Sequence, residues 1–240
     1  MKHVILGAGP AGVIAAETLR KHAPNDDITL IGDEPEAPYS RMAIPYLLIG
    51  NIGEEGTHLR HGATHFRDLR IEVRRARCTA LNGAGKTLTL DDGSVLAFDR
   101  LLIATGSNPV RPPIPGIDSP NVRSCWTLAD ARAIAAKATK GSRVLQMGAG
   151  FIGCIIMEAL AMRGVKLSVV EMGDRMVPRM MGPTAGGMIR DWVEAKGVEV
   201  FTSTKVESVT AGKPLQVKLS NGKTMEADLV ISAAGVRPAI

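Results

Sequence analysis

Aromatic residues are scarce in this sequence, which has two Trp, two Tyr and four Phe among its 240 residues, or 3%. β-Branched residues, leucine and alanine must therefore fill the interior of the folded chain. Cysteine is also rare, because only Cys78, Cys125 and Cys154 are present and they lie far apart. An odd number of separated cysteines argues against a disulfide framework and is typical of a reducing compartment, so we expect a cytoplasmic protein.

Long apolar runs are missing as well. No stretch of about 18 uninterrupted apolar residues occurs, which predicts that no helix spans a membrane. The N-terminal apolar run is interrupted by a glycine-rich turn and lacks the pattern of a signal peptide, so we expect no targeting segment.

The net charge of +5 is modest for a chain of this length. Its densest positive cluster lacks the interleaved aromatic residues that are typical of a nucleic-acid surface, so we predict no nucleic-acid partner. We interpret the cluster as a solvated face near the start of a strand, with a docking surface for an acidic protein as the alternative. The cluster consists of Arg67, Arg70, Arg74, Arg75 and Arg77.

What the sequence does contain is a glycine-rich turn close to its start. The apolar residues 4–6 lead into Gly7, Gly9 and Gly12, and a helix of small residues follows. A strand, a tight turn and a helix N-terminus in this order suit the pyrophosphate of a dinucleotide. Gly7 permits the turn, Gly9 lets the backbone approach the phosphates, and Gly12 lets the helix pack against its strand.

The second apolar run, at residues 28–31, ends just before Asp33 and Glu34. A carboxylate at the tip of the second strand usually holds an adenosine ribose hydroxyl. The proline-containing loop that follows is predicted to turn into a short helix near residues 44–49. A loop at this position can lie along the cofactor, and Arg41 is then the natural cationic partner of the phosphates.

The chain carries this pattern twice. A later apolar run leads into Gly148, Gly150 and Gly153, a helix follows, and the next strand ends at Glu171. Two independent accidents of this complexity are improbable, so the sequence predicts two dinucleotide sites.

The segments after the two turns also correspond. Each copy continues with strand, hairpin and strand signals that end in a glycine, and residues 98–106 of the first copy are predicted to form a buried strand. The repeat predicts an α/β protein with two Rossmann-like dinucleotide-binding domains, each a parallel sheet with an inserted β-meander. The proline-rich segment 107–116 is the best boundary candidate, and we place the domains at 1–112 and 113–240.

Three histidines have a spacing that would suit a metal site. His58, His61 and His65 would share one face of a helix. Gly62 weakens such a helix, and neither a carboxylate nor a cysteine joins the set. We therefore interpret them as surface histidines and predict no metal.

Taken together, these residues resemble the two-dinucleotide-domain flavoproteins of the pyridine nucleotide–disulfide oxidoreductase superfamily. The two glycine turns and the strand ends at residues 101–106 and 229–238 carry the resemblance. Residues 33–41, Asp-Glu-Pro-Glu-Ala-Pro-Tyr-Ser-Arg, most resemble the NADH-dependent ferredoxin, rubredoxin and nitrite reductases. The resemblance implies an FAD-dependent enzyme that passes a hydride from NADH to flavin and electrons to an external acceptor, with a small redox protein as a candidate partner.

The resemblance also implies the residues that line the cofactors. The first domain would bind FAD through Gly7, Gly9, Pro10, Ala11, Gly12, Asp33 or Glu34, Arg41, Cys78 (by its backbone), Thr105 and Gly106. The second domain would bind NADH through Gly148, Gly150, Ile152, Gly153, Glu171 and Gly235. No side chain is assigned a catalytic role, because the cofactor carries the chemistry.

Glu171 favours NADH over NADPH. A carboxylate at this strand end accepts hydrogen bonds from the ribose hydroxyls and repels a 2′-phosphate. Arg175 lies four residues later, beyond the strand end at which a phosphate-binding arginine would normally sit.

The sequence departs from the family at several positions. It has no Cys-x-x-Cys or Cys-x-x-x-x-Cys pair, and Met42 replaces the cysteine of single-cysteine members, so disulfide reduction is not expected. Cys78 and Cys154 are instead expected to be small buried hydrophobes. Tyr46 and Ile155 replace a lysine and a glutamate that are usual in ferredoxin reductases, which weakens ferredoxin as the predicted acceptor.

Family members continue beyond residue 238 into a third portion with a Gly-Asp motif, which this sequence lacks. We therefore expect an N-terminal fragment or a truncated gene product. One alternative function is a dinucleotide-binding fragment without turnover. Another is an NADPH-dependent flavin monooxygenase, against which Glu171 argues.

Overall fold

The computed structural model describes residues 1–239, and Ile240, the last residue of the predicted second domain, lies outside the described residues. The α-helices are α1 (Pro10–His22), α2 (Ile44–Ile49), α3 (His65–Asp68), α4 (Leu128–Lys137), α5 (Phe151–Met162) and α6 (Pro183–Glu194). The strands are β1 (Lys2–Leu6), β2 (Asp27–Gly32), β3 (Ile71–Arg75), β4 (Cys78–Asn82), β5 (Thr87–Leu90), β6 (Val95–Ala97), β7 (Arg100–Ile103), β8 (Ser107–Pro109), β9 (Val122–Ser124), β10 (Arg143–Met147), β11 (Lys166–Val170), β12 (Glu199–Phe201), β13 (Val206–Thr210), β14 (Leu215–Leu219), β15 (Thr224–Ala227), β16 (Leu229–Ser232) and β17 (Val236–Pro238).

The chain divides into two compact units. The first comprises Met1–Ser40, Gly53–Ser107 and the described residues after Arg237, and the second comprises Arg41–Ile52 and Asn108–Arg237. Which unit holds FAD and which holds NAD(H) stays a prediction, as do the boundaries at 1–112 and 113–240. No helix among residues 1–239 has the length and apolar character needed to cross a membrane.

The first unit is built on a parallel four-stranded sheet in the order β3-β2-β1-β7. One face of this sheet packs on α1 in a cluster that includes Ile5, Leu30 and Val13. The other face packs on the antiparallel meander β4-β5-β6 in a cluster that includes Leu6 and Leu88. The strand order reverses at β1, because β2 and β7 lie on its opposite sides, and the first glycine turn follows β1 at this switch point.

The second unit repeats this plan. Its parallel sheet has the order β12-β11-β10-β16-β9, in which the first four strands correspond one by one to β3-β2-β1-β7. The antiparallel meander β13-β14-β15 covers one face of the sheet in a cluster that includes Met147, Val217 and Val230. The predicted α/β fold, with two Rossmann-like domains that carry inserted meanders, is confirmed. Among residues 1–239, the added strand β9 has no counterpart in the first sheet.

One local prediction holds because it depends on short-range signals. The short helix expected near residues 44–49 is α2, with Pro45 in its first turn, where no backbone donor is needed. The N-terminus of α4 carries a reciprocal cap, in which Thr127 accepts from the backbone of Asp130 and Asp130 accepts from the backbone of Thr127. β8 and β17, which both end in a proline, pair in a two-stranded sheet.

The prediction of a buried strand within residues 98–106 is wrong in part. β7 lies at the edge of its sheet, and Leu102 and Ile103 are 42% and 51% exposed. The corresponding strand β16 is buried throughout, because β9 pairs with its outer edge. The two strands are similar in apolar character, so their different burial is decided by the neighbouring strand.

The segment Arg41–Ile52 belongs to the second unit because Arg163, at the end of α5, binds it there. The Arg163 guanidinium donates to the Leu48 carbonyl (2.6 Å) and to the carbonyls of Ala135 and Ala138 (both 2.7 Å). Leu48 lies in α2, and Ala135 and Ala138 lie at the end of α4. One cation therefore satisfies carbonyl groups near the ends of two helices, where positive charge is favourable.

Replacing Arg163 with methionine should lower the free energy of unfolding by about 2–4 kcal/mol, because three part-buried carbonyl groups lose a charged donor at once. Urea unfolding measures the change. Arg190→Met is the matched control, because the exposed Arg190–Glu194 ion pair within α6 should contribute less than about 0.5 kcal/mol. Equal losses in the two variants would contradict the special role of Arg163.

An aspartate anchors the strand that leads into each glycine turn, β1 in the first sheet and β10 in the second. Asp99 accepts a hydrogen bond from the Lys2 backbone N–H (2.7 Å). Asp228 accepts from the Arg143 backbone N–H (2.9 Å) and from its guanidinium (2.8 Å). The Arg143 guanidinium holds the pKa of Asp228 below its ordinary value, and the Lys2 N–H does the same to the pKa of Asp99. The repeated aspartate thus has one structural role in both units.

The pH dependence of stability should report the Asp228 contact. An unfolded aspartate titrates at about pH 3.9. Because the folded pKa is lower, the stabilisation is complete above about pH 5 and is lost as the pH falls through the folded pKa. Asp228→Asn should therefore be less stable than the wild type at pH 7, and the difference should shrink below about pH 4. Thermal unfolding from pH 3 to pH 7 measures this, with Asp191→Asn, an exposed position of α6, as the control.

Candidate dinucleotide-binding sites

The first and third glycines of the first turn are required by packing inside the unit. Gly7 has a φ of +112°, and a Cβ added to it would collide with the carbonyl oxygen of Ala104 at the end of β7. A Cβ added to Gly12 would collide with the Gly7 carbonyl oxygen. These two glycines bring β1, β7 and α1 into contact, which agrees with the predicted roles of Gly7 and Gly12.

The middle glycine, Gly9, has no such reason inside the protein. Its backbone is extended (φ −78°, ψ −176°), a conformation open to any residue. Apart from its chain neighbours, no described atom lies within 4 Å of a Cβ added at Gly9. The missing side chain therefore leaves room outside the protein, directly in front of the N-terminus of α1.

The second turn repeats this geometry. Gly148 has a φ of +97°, and an added Cβ would lie 2.5 Å from the Ala233 carbonyl oxygen at the end of β16. A Cβ on Gly153 would lie 2.5 Å from the Gly148 carbonyl oxygen. Gly150 is extended (φ −73°), and beyond its neighbours nothing in the described chain comes within 4 Å of its added Cβ.

Both helices that follow these turns present uncapped N-termini. Neither α1 nor α5 has a side-chain cap or an acidic residue in its first turn, whereas α4 has a complete cap. The free N–H groups and the positive end of the helix dipole attract an anion, and the open space at Gly9 and Gly150 admits one. The residues present therefore fit two dinucleotide pyrophosphates.

The carboxylate of the second unit lies at its predicted place. Glu171 directly follows β11 and is 9% exposed. One carboxylate oxygen accepts from the Ala149 N–H in the glycine turn (2.7 Å), and the other accepts from the Gly173 N–H (2.7 Å). Each oxygen has a further lone pair for a ribose hydroxyl. Arg175 donates within its own loop, to the Met181 carbonyl (2.9 Å).

The first unit has no room for a carboxylate at the corresponding position. The strand registers show that Gly32 is the position equivalent to Glu171, and a Cβ on Gly32 would lie 2.8 Å from the Cβ of Ala8. The predicted acids come later. Asp33 pairs with Arg77 (2.8 Å), and Glu34 accepts from the Tyr39 hydroxyl (2.5 Å). Which of the two holds a ribose stays a prediction.

The other predicted FAD ligands are distributed over both units. Arg41 lies in the second unit, where its guanidinium is 5.2 Å from the centroid of the Trp126 ring. Thr105 donates from its hydroxyl to the Ala239 carbonyl (2.5 Å), and Gly106 accepts from the Ala239 N–H (3.0 Å). Cys78 begins β4. Pro10 and Ala11 are exposed in the first turn of α1.

Two further predicted NADH ligands lie in the second unit. Ile152 is 38% exposed in the first turn of α5. Gly235 follows β16, has a φ of +101° and accepts from the Val110 N–H (2.9 Å). The binding roles of all these residues stay predictions.

The sequence analysis missed two residues that contact the second turn. Gln146 is completely buried in β10 and donates to two glycine carbonyls of the turn. The sequence feature that could have drawn attention to Gln146 is an amide side chain in the middle of an apolar strand. Val177 has a left-handed φ of +49°, which is strained for a β-branched residue, and its N–H donates to the Ala149 carbonyl (2.9 Å). No sequence pattern marks Val177.

The burial predicted for two cysteines is wrong in degree. Cys78 and Cys154 are only half-buried, because Cys78 starts a short strand of the small meander and Cys154 lies in the first turns of α5. Cys125 is buried, and burial raises the pKa of its thiol to about 12. Burial, assisted by the charge of Glu171, also raises the pKa of Cys154. Both thiols are therefore protonated and weakly nucleophilic at neutral pH.

The three histidines do not share a helix. α3 begins only at His65, whose Nε2 lies 2.8 Å from the Glu17 carboxylate, and Glu17 also binds Arg60 (2.6 Å). Within residues 1–239, no three His, Cys, Asp or Glu side chains are grouped so that they could hold a metal ion.

Acidic partners balance much of the predicted arginine cluster. Arg74 pairs with Asp92 (2.9 Å) and Arg77 with Asp33 (2.8 Å). Arg67 is 78% exposed. These contacts agree with the interpretation of the cluster as a solvated face.

Comparison with known proteins identifies the family. Residues 1–240 match the family described as Pyridine nucleotide-disulphide oxidoreductase. The chain belongs to this family. The match confirms the predicted superfamily, and with it the cofactor pair FAD and NAD(H) that the members of this enzyme family use.

Relatives within the family include two curated proteins and one solved structure. The chain is 32% identical over 240 residues to the NADH-dependent phenylglyoxylate dehydrogenase subunit epsilon of Aromatoleum evansii, covering 99% of this chain and 56% of the relative. It is 29% identical to the benzene 1,2-dioxygenase system ferredoxin–NAD(+) reductase subunit of Pseudomonas putida, covering 98% and 58%. The structure of a NAD-dependent persulfide reductase from A. fulgidus superposes with a TM-score of 0.94 at 29% identity, covering 100% and 47%. The chain thus spans about half the length of the proteins it matches.

Proposed function

We propose that this chain is the dinucleotide-binding part of an FAD-dependent oxidoreductase that takes a hydride from NADH and passes electrons to an external acceptor. The observation that carries the proposal is the pair of glycine turns with the same geometry, each open at its middle glycine. The reaction needs two dinucleotides, and two turns are present. When bound, FAD supplies the redox chemistry by accepting the hydride.

The chain's own residues hold and orient the two cofactors. The first turn and the N-terminus of α1 bind the FAD pyrophosphate, and Asp33 or Glu34 binds its ribose. The second turn and the N-terminus of α5 bind the NADH pyrophosphate, and Glu171 accepts from the ribose hydroxyls. The remaining cofactor contacts come from Pro10, Ala11, Arg41, Cys78, Thr105, Gly106, Ile152 and Gly235.

A small redox protein is the proposed acceptor. Support comes from the relative named ferredoxin–NAD(+) reductase, although Tyr46 and Ile155 replace the ion pair usual in such enzymes. We also propose a cytoplasmic location with no nucleic-acid or membrane partner, which rests on three free cysteines and on the balanced arginine cluster.

Absorption spectroscopy of the purified chain tests this function. After incubation with FAD and removal of the excess, the protein should retain a flavin spectrum, and NADH added without oxygen should bleach it. NADPH should bleach it more slowly. A protein that retains no flavin, or a flavin that NADH leaves unbleached, would refute the proposed reaction for this chain.

A further inference from the structure

Gln146 joins two parts of the second glycine turn. It lies in β10, two residues before Gly148, and is completely buried. Its amide nitrogen donates to the carbonyl oxygens of Gly148 (2.9 Å) and Gly153 (3.0 Å). A Cβ added to Gly153 would lie 3.1 Å from this nitrogen, so the amide occupies space that the third glycine leaves free.

The first turn closes without such a side chain. Ile5, two residues before Gly7, is the counterpart of Gln146, and it is also completely buried. An apolar residue at this position is therefore sufficient to build the strand, the turn and the helix. The amide must have a role that the first turn does not require.

Stability does not account for the glutamine. Its Oε1 is buried and has no hydrogen-bond partner within the described chain. The amide cannot reverse its orientation, because its oxygen would then face two carbonyl oxygens. A buried acceptor without a donor is destabilising, and the isoleucine of the first unit avoids this penalty.

The amide acts on the first peptide of the turn. The carbonyl of Gly148 accepts from Gln146, and the N–H of the same peptide, that of Ala149, donates to the Glu171 carboxylate (2.7 Å). The Ala149 carbonyl accepts from the N–H of the strained Val177 (2.9 Å). A rotation of the Gly148–Ala149 peptide would therefore move the donor that orients Glu171.

We propose that Gln146 is a positioning residue for NADH, which acts through the Gly148–Ala149 peptide to hold Glu171 against the ribose hydroxyls. Gln146 is buried beneath the turn and does not touch the dinucleotide. By fixing Glu171, it sets the preference for a ribose without a 2′-phosphate. The inference rests on the proposed function, because it requires the second turn to bind NADH.

Calorimetric titration with ADP-ribose and with its 2′-phosphate tests the inference without relying on hydride transfer. Gln146→Met keeps the length of the side chain and removes the donor, and Gln146→Leu is the second variant. Either variant should bind ADP-ribose about fivefold more weakly, the effect of one net hydrogen bond. Binding of the 2′-phosphate should not change, so the preference falls by the same factor. The midpoint of thermal unfolding should stay close to that of the wild type, because removal of the unpaired Oε1 offsets the loss of the donor to the two carbonyl groups.

Gln216→Met, the same change in the chain's other glutamine, is the control and should alter neither affinity. Unchanged ADP-ribose affinity and preference in both Gln146 variants would overturn the inference and leave the proposed function standing. Lower stability with the preference retained, or loss of folding in both variants, would assign Gln146 a structural role and also overturn it. A wild-type chain that binds neither probe would overturn the proposed function together with the inference.

Discussion

Gly150→Val is expected to weaken NADH binding by roughly a hundredfold or more, equivalent to about 2.8 kcal/mol, while the protein remains folded. The extended backbone of Gly150 accepts a valine, and the space around its added Cβ is empty of described atoms. The new side chain would fill the space through which the pyrophosphate approaches α5. Stability should change by less than about 1 kcal/mol, because the gain from a stiffer unfolded chain offsets the poorer helix cap.

Gly9→Val is the same change in the first turn and should have the complementary result. It should abolish FAD retention and preserve ADP-ribose binding, whereas Gly150→Val should retain a flavin that NADH does not bleach. Gly53→Val is the control, because Gly53 is also extended and open but lies outside both turns. If Gly9→Val lost ADP-ribose binding and kept FAD, the assignment of the cofactors to the two units would be wrong.

Glu171→Gln should have the second largest effect. We expect NADH affinity to fall about ten- to hundredfold, because charged hydrogen bonds to the ribose contribute about 1.5–3 kcal/mol. The affinity for NADPH should fall less or rise, since the variant no longer repels a 2′-phosphate. The preference for NADH should therefore drop by at least about tenfold.

Parallel titrations of the Glu171 variant with NADH and NADPH measure this preference. Glu158→Gln removes the same charge from an exposed position of α5 and should leave the preference unchanged. If Glu171→Gln kept its preference for NADH over NADPH, the carboxylate would not recognise the ribose. Its contacts with Ala149 and Gly173 would then be purely structural.

The candidate sites could be predicted to the extent that they depend on short-range patterns. The spacing of Gly148, Gly150 and Gly153 dictates a turn between a strand and a helix, whatever the remainder of the chain does. The structure adds that the three glycines have different roles. The first and third avoid collisions inside the unit, and only the middle one faces open space. Distances across the turn are needed to see this.

The contacts of Gln146 could not be predicted for a related reason. Within an apolar strand a glutamine has no local partner, so the sequence does not indicate that its amide reaches Gly153, seven residues away and in the next helix. Val177 is a similar case, because its left-handed conformation is contrary to its own preference and accompanies a hydrogen bond to the distant Ala149.

The sequence by itself determined the fold class, the two dinucleotide turns and the repeated succession of strands and hairpin, because apolar periodicity and glycine spacing act over a few residues. The family followed from the resemblance that these motifs carry. Only the tertiary structure decided which apolar strand is covered and which unit holds Arg41–Ile52. β7 and β16 are similar strands, but β9 pairs with β16 alone. The segment Arg41–Ile52 joins the second unit through Arg163, more than a hundred residues away. Such outcomes depend on neighbours that are distant in sequence, and local patterns carry no information about them.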